Sequence, residues 1–181
     1  MVMADGTYRL GPESGELLLK TSRSGMGRRA GHDLVIEATR WSAEVTLAGE
    51  PDGVTVSVRI EADSLEVRDG LGGVKPLTDK DRTEIRNRLR DILESKAHPE
   101  IGFASTSVTG SAESATVEGD LTIRGRTAPV TVSAGLSDDR VRGSATVAQT
   151  RWGIRPYTAF LGALKVADDV EIEFDATLSR P

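Results

Sequence analysis

Apolar and polar residues alternate with a period of two along residues 117–132, which is typical of a half-buried strand. The apolar positions are Val117, Gly119, Leu121 and Ile123, and the polar positions between them are Glu118, Asp120, Thr122 and Arg124. Gly125 and Pro129 interrupt the pattern before Val130 restarts it. Two alternating runs joined by a short connection that contains glycine predict a β-hairpin.

The same alternation recurs along most of the chain, in short runs bounded by turn residues. Further runs cover residues 16–20, 34–47, 54–62, 100–108, 141–147 and 170–178. No regular exchange of strands with helices is present, which argues against a parallel α/β sheet. We therefore predict an all-β fold: one domain over residues 1–181 that forms an antiparallel barrel of about eight strands with an apolar interior.

The longest strand changes the parity of its apolar positions. Leu34 and Ile36 occupy even positions, whereas Trp41 and Ala43 occupy odd ones. Since side chains of a strand alternate strictly between its two faces, both sets can point inward only if the strand is interrupted. The pattern predicts a bulge or a sharp bend near residues 39–40.

One segment has a helical period instead. Apolar residues follow one another at i, i+4, i+7 and i+8, namely Ile85, Leu89, Ile92 and Leu93. This stripe predicts an α-helix over about residues 78–94, packed against the barrel. Thr78 or Asp79 is suited to its N-terminus, and Pro99 disfavours its continuation through His98.

The same helix carries Arg82, Arg86 and Arg90 at i, i+4 and i+8. Such a stripe is compatible with contact to an anionic membrane surface. Acidic residues nearly balance the basic ones between residues 78 and 96, so a solvated face is the favoured interpretation.

Composition excludes several classes of function. The 181 residues include no cysteine, which rules out disulfides, thiol catalysis and thiolate metal sites. The net charge of -5 argues against a nucleic-acid partner. The longest aliphatic run, residues 17–19, is far shorter than a membrane span. No basic region followed by an apolar run begins the sequence, so we expect a cytoplasmic location, or a periplasmic or secreted one if the chain is a processed form.

The polar residues give weak signals for chemistry. His32 and His98 are the only histidines, and their spacing does not favour a metal site. Ser105 and Thr106 follow His98 in the sequence, but the chain has no nucleophile-elbow motif. A hydrolase would therefore require the fold to bring these hydroxyl groups close to the histidine. We therefore expect neither catalysis nor a metal.

Four blocks carry a resemblance to a known family. They are the bent strand at residues 35–47, the helix end and strand entry at 88–106 with KAHPEIGFAST, the hairpin GDLTIRG at 119–125, and RWGI at 151–154 followed by the final strand. In this order they resemble the YceI family of lipocalin-like barrel proteins that bind polyisoprenoids or other lipids. The loop at residues 22–31 differs, because it carries Arg23, Arg28 and Arg29 where the family usually has a histidine-containing stretch.

The resemblance implies an eight-stranded, antiparallel, lipocalin-like barrel whose interior holds a long amphiphile. It implies no known catalysis and no cofactor other than a bound isoprenoid or lipid. Among relatives homodimers are common, so a second copy of the chain is a candidate partner.

The apolar interior has two interpretations. It is either a packed core, which makes the barrel a structural or protein-interaction module, or a cavity for an apolar molecule. Small inward residues and the aromatic cluster at residues 151–164 favour the cavity. The predicted lining residues are Ile36, Trp41, Val45, Leu47, Val58, Phe103, Leu121, Ile123, Trp152, Tyr157, Phe160, Leu161 and Phe174, with Arg28, Arg29 and His32 at the polar end. We predict non-catalytic binding of an isoprenoid quinone, a polyprenyl chain, or a fatty acid or amide.

Overall fold

The computed structural model describes residues 3–27, 29, 31–49, 53–159 and 164–179. Its strands are β1 Gly6–Leu10, β2 Gly15–Lys20, β3 Arg23–Ser24, β4 Asp33–Ala38, β5 Trp41–Leu47, β6 Thr55–Glu61, β7 Leu65–Leu71, β8 Glu100–Gly110, β9 Ala115–Ile123, β10 Arg126–Ser137, β11 Arg140–Ala148, β12 Thr158–Ala159, β13 Leu164–Val166 and β14 Asp169–Thr177. In the described part of the chain, one α-helix, α1, covers Asp79–Leu93. No described helix is long and apolar enough to cross a bilayer.

The large sheet closes on itself. Three chain segments bend and continue, and each supplies two strands: β1 and β2, β4 and β5, and β6 and β7. The first two segments are neighbours on both sides of their bends, because β1 pairs with β5 and β2 pairs with β4. The remaining neighbours pair antiparallel in chain order from β6 through β8, β9, β10 and β11 to β14. β14 then pairs with β2. Among the described residues, eight chain segments therefore form one antiparallel ring, which confirms the predicted barrel.

The predicted bend lies where β4 ends and β5 begins. The Thr39 N–H and hydroxyl donate hydrogen bonds to the Ser64 carbonyl, at 3.0 and 2.8 Å. The Ser64 hydroxyl donates in turn to the Arg40 carbonyl at 3.1 Å, and Ser64 is fully buried. The neighbouring segment breaks at the same height, in a 3₁₀ turn at Ala62–Ser64. At the bend, the inward-pointing positions of both segments change parity. Apolar side chains therefore continue to point inward on both sides of the bend.

The predicted helix is confirmed, with a capping box at its start. Thr78 Oγ1 accepts a hydrogen bond from the Asp81 N–H at 3.2 Å, and the Asp81 carboxylate accepts one from the Thr78 N–H at 2.8 Å. The bond from the Thr78 N–H, together with one that the Thr78 hydroxyl donates to the same carboxylate at 2.8 Å, holds the pKa of Asp81 below its ordinary value. The helix ends at Glu94, which has a left-handed backbone (φ 50°). Leu93 is buried in the barrel core, and Leu89 and Ile92 pack against that core.

The arginine stripe of α1 is partly exposed to solvent and also contacts the neighbouring segment of the barrel. Arg82 Nη1 donates to the Val67 carbonyl at 2.9 Å. Arg86 lies 3.6 Å from Glu66, and Arg90 lies 3.6 Å from Asp63. Each arginine is therefore matched by an acceptor on the neighbouring segment, and this pairing fixes the orientation of the helix along β7.

The two ends of the barrel differ. Long connections meet at one end, which we call the loop end; its described residues are 21–27, 29, 31–32, 72–99, 124–125, 149–159 and 164–168. Short connections meet at the other, which we call the turn end; its described residues are 48–49, 53–54, 111–114 and 138–139. A buried cluster extends from the loop end towards the middle and consists of Leu17, Ile36, Ala38, Ala62, Leu65, Leu93, Ile101, Ile123, Val130, Val147, Trp152 and Ile154. A second cluster closes the turn end and consists of Tyr8, Leu10, Ala43, Ala176 and Leu178.

An ion pair ties three connections together at the loop end. Arg124, in the turn between β9 and β10, contacts the Glu94 carboxylate at 3.1 Å and donates to the Gly153 carbonyl at 3.0 Å. The hydrogen bond and charge of Arg124 hold the pKa of Glu94 below its ordinary value. The pair therefore joins the end of α1 to the turn that carries the buried Trp152.

This lowered pKa makes the fold sensitive to acid. Because the folded pKa of Glu94 is below its unfolded value of 4.5, the ion pair stabilises the protein above that pH, and the stabilisation is lost as the pH falls through the folded pKa. We expect Glu94→Gln to flatten the fall in the free energy of unfolding between about pH 5 and 3, measured by chemical denaturation at several pH values.

Glu113→Gln, at an exposed position of the turn end, is the matched control and should leave the acid profile unchanged. An identical acid profile for Glu94→Gln and the unmodified protein would show that this pair does not stabilise the fold.

Candidate ligand-binding interior

Many side chains on the inner face of the barrel retain accessible surface. The partly exposed inward residues are Leu19, Leu34, Ile60, Phe103, Leu121, Val132, Ala145, Ile172 and Phe174. The closed sheet screens its inner face from outside solvent, and a fully packed interior would bury these positions. Most of them also pack against the buried cluster, so their partial exposure is compatible with space inside the barrel, next to a wall that is apolar at these positions.

Two phenylalanine rings lie against the wall, over glycines of the neighbouring strand. A Cβ at Gly119 would lie 2.3 Å from Phe103 Cζ, and a Cβ at Gly143 would lie 2.3 Å from Phe174 Cζ. Covering a glycine with an aromatic ring from the adjacent strand is a known stabilising arrangement in β-sheets. Here both rings occupy the space that a side chain at Gly119 or Gly143 would take.

Most of the predicted lining residues share the inner face. Nine come from the barrel strands and have inward parity: Ile36, Trp41, Val45, Leu47, Val58, Phe103, Leu121, Ile123 and Phe174. Ile36 and Ile123 are buried in the larger cluster, whereas Val45, Leu47 and Val58 pack against the turn-end cluster. Their contact with a ligand stays a prediction.

Five further inward residues were not among the predicted lining residues. Leu19, Ile60, Val132, Ala145 and Ile172 line the same wall. The period-two pattern of their strands predicts that all five lie on the inner face, because each has the same parity as the buried residues next to it on that face. The pattern could not predict that Gly119 and Gly143 lie beside phenylalanine rings, because that contact depends on which strands pair.

The aromatic segment near residue 152 divides into two environments. Trp152 is 1% exposed, and its Nε1–H donates to the Leu121 carbonyl at 2.8 Å, so its indole closes the loop end beside the buried Ile154. Tyr157 is 38% exposed, and its ring lies 4.8 Å from the Arg88 guanidinium of α1. The structure therefore places Tyr157 at the surface and does not group it with the inward wall. Phe160 and Leu161 lie outside the described residues.

The predicted polar end lies at the loop end, on the outside. Arg29 is exposed and lines an open groove of about 410 Å³ together with Arg23, Gly73 and Val74. His32 Nε2 is 2.7 Å from the Lys75 carbonyl oxygen. Arg28 lies outside the described residues.

A second groove, of about 340 Å³, lies at the bend and is lined by Pro12, Thr39, Arg40, Trp41, Ser42, Arg59 and Glu61. Both grooves open to solvent and include charged residues, Arg23 and Arg29 in the first and Arg40, Arg59 and Glu61 in the second, in contrast to the apolar wall of the interior. They therefore suit polar groups at the surface better than a long apolar chain.

The hydroxyl groups considered for hydrolysis belong to the strand network. The Ser105 hydroxyl accepts a hydrogen bond from the Val56 N–H at 2.8 Å, and the Thr106 hydroxyl donates to the Glu118 carbonyl at 3.2 Å. His98 lies at the loop end, with Nε2 3.9 Å from the Glu94 carboxylate. The described contacts thus do not join His98 to either hydroxyl. Within the described part of the chain, no three histidine or acidic side chains gather in a position to hold a metal ion.

The contact between Phe103 and Gly119 yields a stability prediction. In Gly119→Ala the new methyl would also lie 2.7 Å from the Ala104 carbonyl, so the ring and the strand must both shift. We expect a loss of about 1–3 kcal/mol in the free energy of unfolding. Gly102→Ala is the matched control, because a Cβ there meets nothing within 4 Å.

Denaturant titration of both variants measures this difference. Adding Phe103→Leu to Gly119→Ala should recover part of the loss, since the smaller side chain relieves the contact. Equal stability of Gly119→Ala and Gly102→Ala would show that the ring does not lie on the wall.

Comparisons with known proteins agree with this architecture. The family model for the YceI-like domain matches residues 17–178. BcnA from Burkholderia cenocepacia has a similar crystal structure, with a TM-score of 0.61 and 17% identity over 91% of this chain and 96% of that one. The YCEI protein of Campylobacter jejuni is similar with a TM-score of 0.56 and 14% identity, over 81% of this chain and 85% of that one. Comparison with curated protein sequences gave no match.

At these identities the two structures establish likeness of fold alone, whereas the family model covers most of the sequence, from within β2 to the end of β14. The chain belongs to the YceI-like domain family.

Proposed function

We propose that this protein binds a long apolar or amphiphilic molecule inside its barrel and does not act on it chemically. The candidates are an isoprenoid quinone, a polyprenyl chain, or a fatty acid or amide. The observation that carries the proposal is the ring of partly exposed apolar side chains on the inner face, among them Phe103, Leu121, Ile172 and Phe174. Membership of a family with a lipocalin-like barrel supports it.

Hydrophobic burial sets a lower limit on the length of such a ligand. Each buried methylene contributes about 0.8 kcal/mol, and association costs at least about 4 kcal/mol. Micromolar binding requires a net gain of about 8 kcal/mol. A ligand held only by its chain therefore needs roughly 15 buried methylenes, which favours long chains over small apolar molecules.

The polar group of an amphiphile would meet the loop end, where Arg28, Arg29 and His32 remain the predicted contacts. The exposure of Arg29 and its open groove support this orientation. Buried Tyr8, Leu10 and Leu178 close the turn end, as Trp152 and Ile154 close the loop end, so the orientation is proposed from the charged residues alone.

The alternative is a filled barrel that serves as a structural or protein-interaction module. The two buried clusters favour it, because they close both ends of the interior. The alternatives differ in a simple way: a carrier contains a stoichiometric guest in its native host, whereas a filled module contains none.

Mass spectrometry of lipids extracted from protein purified from its native host tests the proposal. We expect one long-chain amphiphile in stoichiometric amount. Ala145→Phe, on the inner wall of β11, should reduce its recovery at least about tenfold, because the added ring fills space that the chain needs. Thr146→Phe, an exposed position on the same strand, is the matched control and should retain the ligand.

Circular dichroism of both variants shows whether they are folded. Stoichiometric recovery from Ala145→Phe, or no amphiphile from the unmodified protein, would contradict binding in the interior.

A further inference from the structure

The large apolar side chains that are most exposed to solvent gather at one end of the barrel. In the described part of the chain they are Met26, at 96% exposure, Val74, at 79%, Leu71 and Tyr157. Met26, Val74 and Tyr157 belong to the connections of the loop end, and Leu71 ends β7 directly before one of them. The described residues of the turn end include no large apolar side chain of comparable exposure.

Two of the loops that carry these side chains form the sides of one groove. Arg23 and Arg29 line the open groove of about 410 Å³ on one side, and Gly73 and Val74 line it on the other. Met26 lies between the two arginines in the sequence. The Met26 loop and the Val74 loop therefore present their exposed side chains on the same part of the surface.

The small sheet of β12, β13 and β3 continues this surface towards Tyr157. Lys165 of β13 pairs with Ser24 of β3, two residues before Met26. The Val166 N–H donates a hydrogen bond to the Tyr157 carbonyl at 2.9 Å. Backbone pairing thus holds three separate connections of the loop end beside one another.

The same connections are basic, although the chain as a whole carries a net charge of -5. Among residues 21–27, 29, 31–32, 72–78, 151–159 and 164–168, the acidic residue is Asp168, and its carboxylate accepts hydrogen bonds from Thr150. The basic residues there are Arg23, Arg29, Lys75, Arg151, Arg155 and Lys165, and all except Arg23 are exposed. The described residues of the turn end contain acidic side chains, Glu113, Asp138 and Asp139, and no basic one. The two ends of the barrel therefore differ in the sign of their charge.

Exposed apolar side chains with cations beside them suit a lipid surface better than a protein partner. Val74 is followed by Lys75, and Met26 shares its loop with Arg29. Proteins that lie in the interfacial region of a bilayer combine apolar side chains that insert with Lys and Arg that attract anionic lipids. The centre of a protein–protein interface is instead depleted of charged residues, and of Lys in particular.

We propose that the loop end docks on an anionic lipid surface. Met26 and Val74 insert among the lipid headgroups, and Arg29, Lys75 and Lys165 lie beside the lipid phosphates. The acidic turn end then faces away from the membrane, where repulsion from the anionic surface is least. This inference does not depend on the proposed function, because a filled barrel would present the same surface.

Vesicle binding tests the proposal. In co-sedimentation, we expect the protein to bind vesicles of phosphatidylcholine with about 40% phosphatidylglycerol at least about tenfold more tightly than vesicles of phosphatidylcholine alone. Raising the salt to about 1 M should remove most of this preference, because the screening length falls to about 3 Å.

Two double variants test the residues at the surface. Arg29→Gln with Lys75→Gln should weaken binding to the anionic vesicles about 25-fold, since each cation near such a surface contributes a factor of about five. Arg9→Gln with Arg59→Gln is the matched control. It makes the same change of charge at exposed positions of β1 and β6, outside the loop end, and should bind as the unmodified protein does. Circular dichroism of both variants shows whether they are folded.

A fluorescent label tests which end meets the lipid. The chain contains no cysteine, so one introduced cysteine can be labelled selectively with an environment-sensitive dye. A dye attached through Met26→Cys should shift its emission to shorter wavelength when anionic vesicles are added. A dye attached through Glu113→Cys, at the exposed turn end, should not shift.

The remaining outcomes would each overturn the inference. They are absence of binding to anionic vesicles, equal binding to both kinds of vesicle, equal binding of the two double variants, and a shift of the dye at position 113. A shift at position 26 that grows with protein concentration in the absence of vesicles would show that a second copy of the chain covers this surface instead. Each of these results leaves the extraction of a ligand from the interior unaffected, so the two proposals fail separately.

Discussion

The pairing of β14 with β2 is the interaction on which the remaining structure depends. It joins the last described barrel strand to the first long segment and thereby turns an antiparallel sheet into a ring. Once the ring is closed, every strand has one face toward solvent and one toward the interior, and strict alternation decides which side chains occupy each. The bend held by Thr39 and Ser64 is required by this closure. It lets one chain segment form both β4 and β5 of the ring without turning its apolar face outward.

The interior is filled unequally, and the reason is the distribution of side-chain size. Buried aliphatic residues and Trp152 close the loop end, and Tyr8 and Leu178 close the turn end. Between them, Gly119 and Gly143 leave room for the large rings of Phe103 and Phe174 beside the neighbouring strand. Side chains at these two positions would collide with the rings and force them elsewhere.

Polar contacts outside the barrel position the elements that cover it. Arg124 connects the end of α1 with the turn that carries Trp152, while the arginines of α1 pair with acidic residues beside β7. All of these pairs are at least partly exposed, so each contributes little to stability alone. Together they determine where the helix and the buried indole lie, and therefore how the loop end is closed.

Local patterns in the sequence determined the elements of this protein. The period of two predicted most of the barrel strands and their inward faces, although it missed β1 and β7. The change of parity near residue 39 predicted the bend, and the helical stripe with Thr78 predicted α1. These features depend on neighbours along the chain, and the ordered blocks that resemble the YceI family added the topology. Only the tertiary structure decided which of the aromatic residues face the interior: Tyr157 stacks on Arg88 at the surface, Trp152 is hydrogen-bonded in the closed end, and Trp41 keeps an unpaired N–H between the clusters. The reason is that each of these environments is formed by residues far apart in sequence, whose contact depends on strand register and on closure of the ring.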